Sequence, residues 1–274
     1  MFPPLDAPLA AAAPALWKHG AAAAAAFAAG AVNSIAGGGT LISFPSLLAL
    51  GLTGQQANVT STIAIWPGSI GGFWGHRQDL AGTGAFAKRL WPPSLLGGFA
   101  GAMLLLYTPA KLFDNLVPWL ILAAALLLAA NEPVARWVNG LGGGRRGARW
   151  WLGAIAFQFV VGLYGGYFGA GIGILMLAAL GLLGLTDIHQ MNGLKNFLAL
   201  SINGVAIAAF VFSAQVVWTV VPLMAVGAVL GGLAGSALAH RVGRRAARRT
   251  VVAIGFLLAA WYFLKTYGAL DGLV

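Results

Sequence analysis

The chain contains no cysteine, and only six of its 274 residues are acidic. The first absence excludes disulfides, thiolate metal sites and cysteine nucleophiles. Charge of either sign is scarce: 8% of residues are charged, where a water-soluble domain carries about a quarter. So little polar surface cannot cover a globule in water. With 59% hydrophobic residues and a mean hydropathy of +0.85, the composition is that of a polytopic membrane protein. Asp6, Asp79, Asp114, Glu132, Asp187 and Asp271 all fall at expected ends or loops, so no carboxylate lies mid-span to relay protons. The histidines His19, His76, His189 and His240 are scattered, and no glycine run is followed by the Gly-Lys-Ser/Thr of a nucleotide loop. These absences argue against an enzyme and against a self-contained ATP-driven pump. No cofactor and no metal are expected.

What is present is positive charge in particular places. The net charge is +10, and twelve of sixteen Lys and Arg fall in three short stretches between apolar segments. These are Arg77, Lys88 and Arg89; Arg136, Arg145, Arg146 and Arg149; and Arg241, Arg244, Arg245, Arg248 and Arg249. Basic residues in short loops beside apolar spans are a topology signal, not a nucleic-acid patch, since no soluble domain exists to present one. The start, "MFPPLDAPLAAAAPALWKHG", has no basic residue before Lys18, unlike a signal peptide, so the first apolar stretch is expected to be retained.

Two regions resemble each other: "GAVNSIAGGGTLISFPSLLALGLT" from Gly30 and "GLYGGYFGAGIGILMLAALGLLGLT" from Gly162. Each is an apolar arm, a glycine-rich break, a second apolar arm and Gly-Leu-Thr. "QQANVTST" from Gln55 and "HQMNGLKN" from His189 follow, each with a Gln two residues before an Asn. The expected organisation is a duplication: a first repeat over 1–138, a basic linker over 139–149 and a second repeat over 150–274. Spans long enough to cross a bilayer, which takes about 17–25 residues, run over 55–75, 90–107, 114–131, 188–213, 216–239 and 250–267. The second arms, 40–50 and 172–183, are too short to cross. If each broken element (17–52 and 150–183) is a hairpin returning to its starting side, each half crosses three times and all three basic loops share one face. The positive-inside rule favours this arrangement over one crossing per broken element. An odd number of crossings inverts the halves, as in many secondary transporters. The expected fold class is therefore an all-α polytopic membrane protein of two inverted repeats, each a broken helical hairpin plus three transmembrane helices.

Broken backbone at membrane depth is tolerated only inside protein or beside water. The helix that starts after Gly37, Gly38, Gly39 and Thr40 offers bare amides and a positive dipole end, which favour an anion. Gly169, Gly171 and Gly173 offer the same from the other half. Asn33 and Ser34 flank the first break. Asn58, Thr60, Ser61 and Thr62 lie in the first turns of the next helix; Gln190, Asn192, Lys195 and Asn196 lie in its counterpart. Asn192, Lys195 and Asn196 share one helical face. Lys195 is the cation well inside an expected span, and an anion is its natural partner. Blander readings stand beside these: glycines for close helix packing, snorkelling for Lys195, interhelical bonds for Asn58 and Asn192. Gln158 and Asn203 are candidates for contacts facing the bundle. Trp91, Trp119, Trp150, Trp151, Trp218 and Trp261 fit an interfacial belt, and Pro67, mid-span, frees a carbonyl.

The stretches "AGAVNSIAGGGTLISFPSLLALGL", "QQANVTSTIAIWPGSIGGFWGHR" and "VVGLYGGYFGAGIGILMLAALGL" resemble the sulfite exporter TauE/SafE family of bacterial membrane proteins. The second copy departs from the family pattern in its interrupted glycine run, "GAGIG", and in "NGLKN" where a Thr-Ser pair is common. The resemblance implies a permease of seven or eight transmembrane segments, in a family linked to export or uptake of sulfite, sulfoacetate and related sulfur anions.

The expected function is a secondary transporter or facilitator that exports a small sulfur-containing anion. An anion channel and an ion-coupled uptake permease are the alternatives. Export needs no coupling ion, because a negative interior drives an anion outward by about 2.3 kcal/mol per charge per 100 mV. The expected partners are a small anionic solute and the lipid bilayer, with no nucleic acid; a homodimer is left open. The expected location is the bacterial inner membrane, basic loops cytoplasmic and both termini periplasmic.

Overall fold

In hydrocarbon an apolar segment must satisfy its own backbone, so these stretches fold as helices. The computed structural model describes residues 9–35, 38–75, 77–140, 147–185, 187–242 and 244–268. Both chain ends, Gly37, His76 and the linker arginines Arg145 and Arg146 lie outside them. The helices are α1 (Leu9–Ile35), α2 (Thr40–Ala49), α3 (Gly54–Gly75), α4 (Gly84–Tyr107), α5 (Ala110–Ala129), α6 (Asn131–Gly140), α7 (Ala148–Tyr167), α8 (Ile172–Leu182), α9 (Ile188–Phe210), α10 (Val221–Val242) and α11 (Arg244–Thr266). No strand occurs among the described residues. Among the described residues four helices are long and apolar enough to cross a membrane by length and composition: α4, α5, α9 from His189 and the 248–266 part of α11.

The surface is that of a membrane protein. Leu96, Phe99, Leu126, Leu152, Leu230, Leu233 and Leu257 face outward, whereas Ser43, Asn58, Thr60, Ser61 and Gln158 are buried. That distribution reverses the one water imposes.

The packing repeats when the halves are exchanged. α1 lies along α10 and α7 along α4; α3 crosses α10 as α9 crosses α4; α3 meets α9, and α5 meets α11. Glycines set the closest of these approaches. A methyl group on Gly227, Gly231 or Gly235 of α10 would run into the carbonyl of Ala23, Phe27 or Ala31 of α1. The matching steps of four along both helices make them parallel neighbours. On the other side Gly97 and Gly101 of α4 meet the carbonyls of Phe159 and Leu163 of α7 in the same way. Without a hydrophobic drive between helices in lipid, such backbone contact is a main source of association.

The broken elements are hairpins. Trp150, in the first turn of α7, donates from Nε1 to the carbonyl of Leu182, the last residue of α8, at 2.8 Å. At about 1.5 Å per residue, the eleven residues of α8 reach only about half of the hydrocarbon core. In the first half Gly39 lies against Ala29 and Asn33 of α1, so α2 doubles back along it.

The loops carrying positive charge are drawn together. Arg89 stacks over the Trp151 ring at 4.4 Å, Gln190 donates to the carbonyl of Ala81 at 3.1 Å, and Arg248 pairs with Glu132 at 3.5 Å. Several boundaries differ from the sequence-based spans; α11, for one, starts at Arg244 rather than 250. α4 starts at Gly84 rather than 90, which takes Lys88 and Arg89 into its first turns. Residues 211–220, expected to be mostly helical, leave the helix. Ser213 turns back onto the carbonyl of Phe210, and the amide of Val217 is held by Thr60 Oγ1 at 3.1 Å. α6 was not expected; it is an amphipathic helix lying on α8.

Two outcomes are expected. Gly231→Leu should destabilise the protein by about 1–3 kcal/mol, the usual range for overpacking, read as a lower Tm in detergent. In this cysteine-free background, Leu80→Cys, Gly140→Cys and Arg249→Cys should react with an impermeant maleimide from one side of the membrane and Asp114→Cys from the other.

Candidate functional site: the second helix break

Two interrupted helices meet inside the bundle. At the first break Gly38 sits at φ +87°, a left-handed turn that side chains rarely adopt, and Gly39 starts α2 with no side-chain cap. Leu41 and Ile42 turn back onto the carbonyls of Gly38 and Gly39, while the amides of Gly39 and Thr40 find no acceptor among the described residues. At the second break Gly171, φ +79°, starts α8, again without a side-chain cap. There the amides of Ala170, Gly171 and Gly173 have no acceptor among the described residues.

Polar side chains gather around the second break. Asn58 of α3 donates from Nδ2 to the carbonyl of Tyr167 at 2.8 Å, and Tyr164 donates from its hydroxyl to the carbonyl of Ala170 at 2.7 Å. Both carbonyls belong to the stretch that left the helix, so these bonds replace ones the helix would have supplied. From α9, the Asn203 carboxamide oxygen lies 3.7 Å from where a Gly169 Cβ would stand. The stem of Lys195 lies along Gly173, with Cδ 3.2 Å from the position of a Cβ there. Its ammonium donates to Asn192 Oδ1 at 3.0 Å. Glycine at 173 thus lets a lysine reach the amide end of α8.

The first break has a different lining. Gly38 faces Leu128, and Asn33 and Ser34 are exposed on the last turns of α1. Between the two breaks the contact is aromatic: Phe44 of α2 meets Phe168 edge-on, ring centroids 5.2 Å apart. Both rings are buried.

Several residues singled out from the sequence have structural partners. Ser61 Oγ bonds Ser43 Oγ at 2.6 Å, joining α3 to α2. Thr62 bonds back to the carbonyl of Asn58, Thr60 holds the 211–220 loop, and Gln190 holds Ala81. Asn196 is half-buried on α9. Gln158 bonds Ser94 inside the α4–α7 contact, away from either break. Tyr164, Tyr167, Phe44, Phe168 and Ser43 were missed. The two tyrosines were legible only as polar aromatics inside "GLYGGYFGAG"; nothing local marked the phenylalanines.

An all-helical bundle with an apolar exterior, buried polar groups and paired helix breaks defines a multi-pass membrane transporter. The family model described as sulfite exporter TauE/SafE matches residues 22–262, and the chain belongs to that family. It is 27% identical over 241 residues to a probable membrane transporter protein of Haemophilus influenzae, covering 85% of this chain and 90% of the relative. It is 25% identical to the probable membrane transporter protein YfcA of Escherichia coli K12, over 88% of this chain and 87% of the relative. With a probable membrane transporter protein, ORF9, of Sinorhizobium sp. it shares 27% identity over 86% of this chain and 88% of the relative. No solved structure matches.

Tyr164→Phe deletes the donor to the carbonyl of Ala170. It should lower stability by about 1 kcal/mol, the usual net worth of such a bond, measured by thermal unfolding in detergent beside Tyr262→Phe as a control.

Proposed function

We propose that the protein exports a small sulfur-containing anion, such as sulfite, sulfoacetate or another organosulfonate, bound at the second break. One observation carries the reading: the stem of Lys195 packs along Gly173, its ammonium on Asn192, which sets a cation near the end of α8 whose amides of Ala170, Gly171 and Gly173 have no acceptor among the described residues. A fixed cation and a helix N-terminus both favour negative charge, and burial strengthens each. The family name supports the sulfur chemistry.

In this reading the anion is held by Lys195 and the α8 amides. Asn58 and Tyr164 keep the break rigid while the site is empty. Gly37, Gly38, Gly39 and Thr40 offer a second amide end, reached once Phe44 and Phe168 part. Asn33, Ser34, Asn192 and Asn196 line the route; Thr60, Ser61, Thr62 and Gln190 hold the helices and loops that frame it. The basic loops face the cytoplasm of a bacterial inner membrane and both termini the periplasm. Outward flux of the anion then runs down the membrane potential without a coupling ion.

The test is counterflow into proteoliposomes with sulfite, sulfate, thiosulfate, sulfoacetate and taurine. Saturable exchange of at least one anion is expected; unitary currents would mark a channel, and flux that depends on a cation gradient an uptake permease. Lys195→Met should weaken affinity for the transported anion by about tenfold or more, since a bond to a charged group is worth about 1.5–3 kcal/mol. Unchanged affinity in that variant would remove the site.

A further inference from the structure

Asn58 is 1% exposed, and only half of its carboxamide is used. Its Nδ2 donates to the carbonyl of Tyr167, which can only accept, so the orientation of the group is set: Oδ1 faces the other way. That oxygen is buried and has no hydrogen-bond partner among the described residues. Two other acceptors near the break are filled, the carbonyl of Ala170 by Tyr164 and Asn192 Oδ1 by Lys195, and Asn203 on α9 is only half-buried. A second orphan oxygen, Oε1 of Gln158, lies in the α4–α7 contact, where glycines bring the two backbones together and leave no room for a guest. Asn58 instead stands beside an interrupted helix with bare amides.

The amides and Lys195 are all donors, suited to the charged oxygens of an anion. An acceptor held on the other side of the same break, at Tyr167, suits a different part of the guest. We propose that Asn58 Oδ1 receives a hydrogen carried by the bound anion. The second break then selects anions that bear an O–H or N–H group over donor-free anions of the same charge. A protonated oxyanion and a hydroxy- or amino-substituted sulfonate qualify; a plain alkanesulfonate does not. A buried acceptor left unfilled by a donor-free guest keeps its full desolvation penalty, which is what creates the discrimination. The inference rests on the anion reading above and adds a specificity-determining residue to it.

The experiment compares 2-hydroxyethanesulfonate with ethanesulfonate, matched in charge and nearly in size, by calorimetric titration of the purified full-length protein and by counterflow inhibition. The wild-type protein should bind the hydroxylated probe about fivefold more tightly, in line with one net hydrogen bond. In Asn58→Ala and Asn58→Ser the ratio of the two affinities should fall to about one, whatever happens to the affinities themselves. Lys195→Met should weaken both probes and leave the ratio standing. Equal binding of the two probes by the wild-type protein overturns the inference alone, as does a ratio that survives in either Asn58 variant. Binding of neither probe by the wild-type protein overturns the sulfonate reading and this inference with it. If both Asn58 variants fail to fold, the wild-type ratio decides.

Discussion

A helix interrupted inside hydrocarbon leaves backbone groups that no water can reach, and the protein itself must supply their partners. Much of this structure answers that demand. Two of the carbonyls freed at the second break, those of Tyr167 and Ala170, are taken by Asn58 from α3 and by Tyr164 from α7 itself. Neither partner could be apolar, because a buried carbonyl without a donor costs about 1–3 kcal/mol. The amides on the other side of the break have no acceptor among the described residues, and the stem of Lys195 packs beside them along Gly173. Filled acceptors and open donors on one short stretch give it a polarity that favours a negative guest.

The break must also be held still, and here the glycines outside it matter more than those within. α1 with α10, and α7 with α4, approach until backbone touches backbone. Each pair joins the first helix of one half to the fourth of the other, so neither half is a separate body. The hairpins rest between these pairs, meeting through Phe44 and Phe168.

The halves share an order of elements but have diverged in chemistry. Polar groups collect at the second break, whereas leucine and phenylalanine border the first. The serine pair Ser43–Ser61 has become a clasp between α2 and α3. Thr60 and Gln190 each tie down a loop of the opposite half, Thr60 the segment after α9 and Gln190 the segment after α3. Duplication therefore survives as a framework, with the polar side chains concentrated on one side of it.

The amino-acid sequence by itself determined the solvent, the helical class, the repeated order of elements, the two breaks and a lysine within a span. Each is written in composition or in spacing along a few turns, and hydrocarbon leaves the backbone no other form. The loop at 211–220 was not legible, because the Val217 amide that it frees from the helix is taken by Thr60 Oγ1, 157 residues away. α6 escaped because its ten residues carry an amphipathic pattern too short to stand out from a linker. Which polar residue holds the break and which holds a distant loop was decided only by tertiary structure. Asn58 and Thr60 sit two apart with equal claims, yet one reaches the carbonyl of Tyr167 and the other a distant loop. Side-chain chemistry is local, but the unsatisfied backbone group that captures a side chain lies wherever the fold puts it.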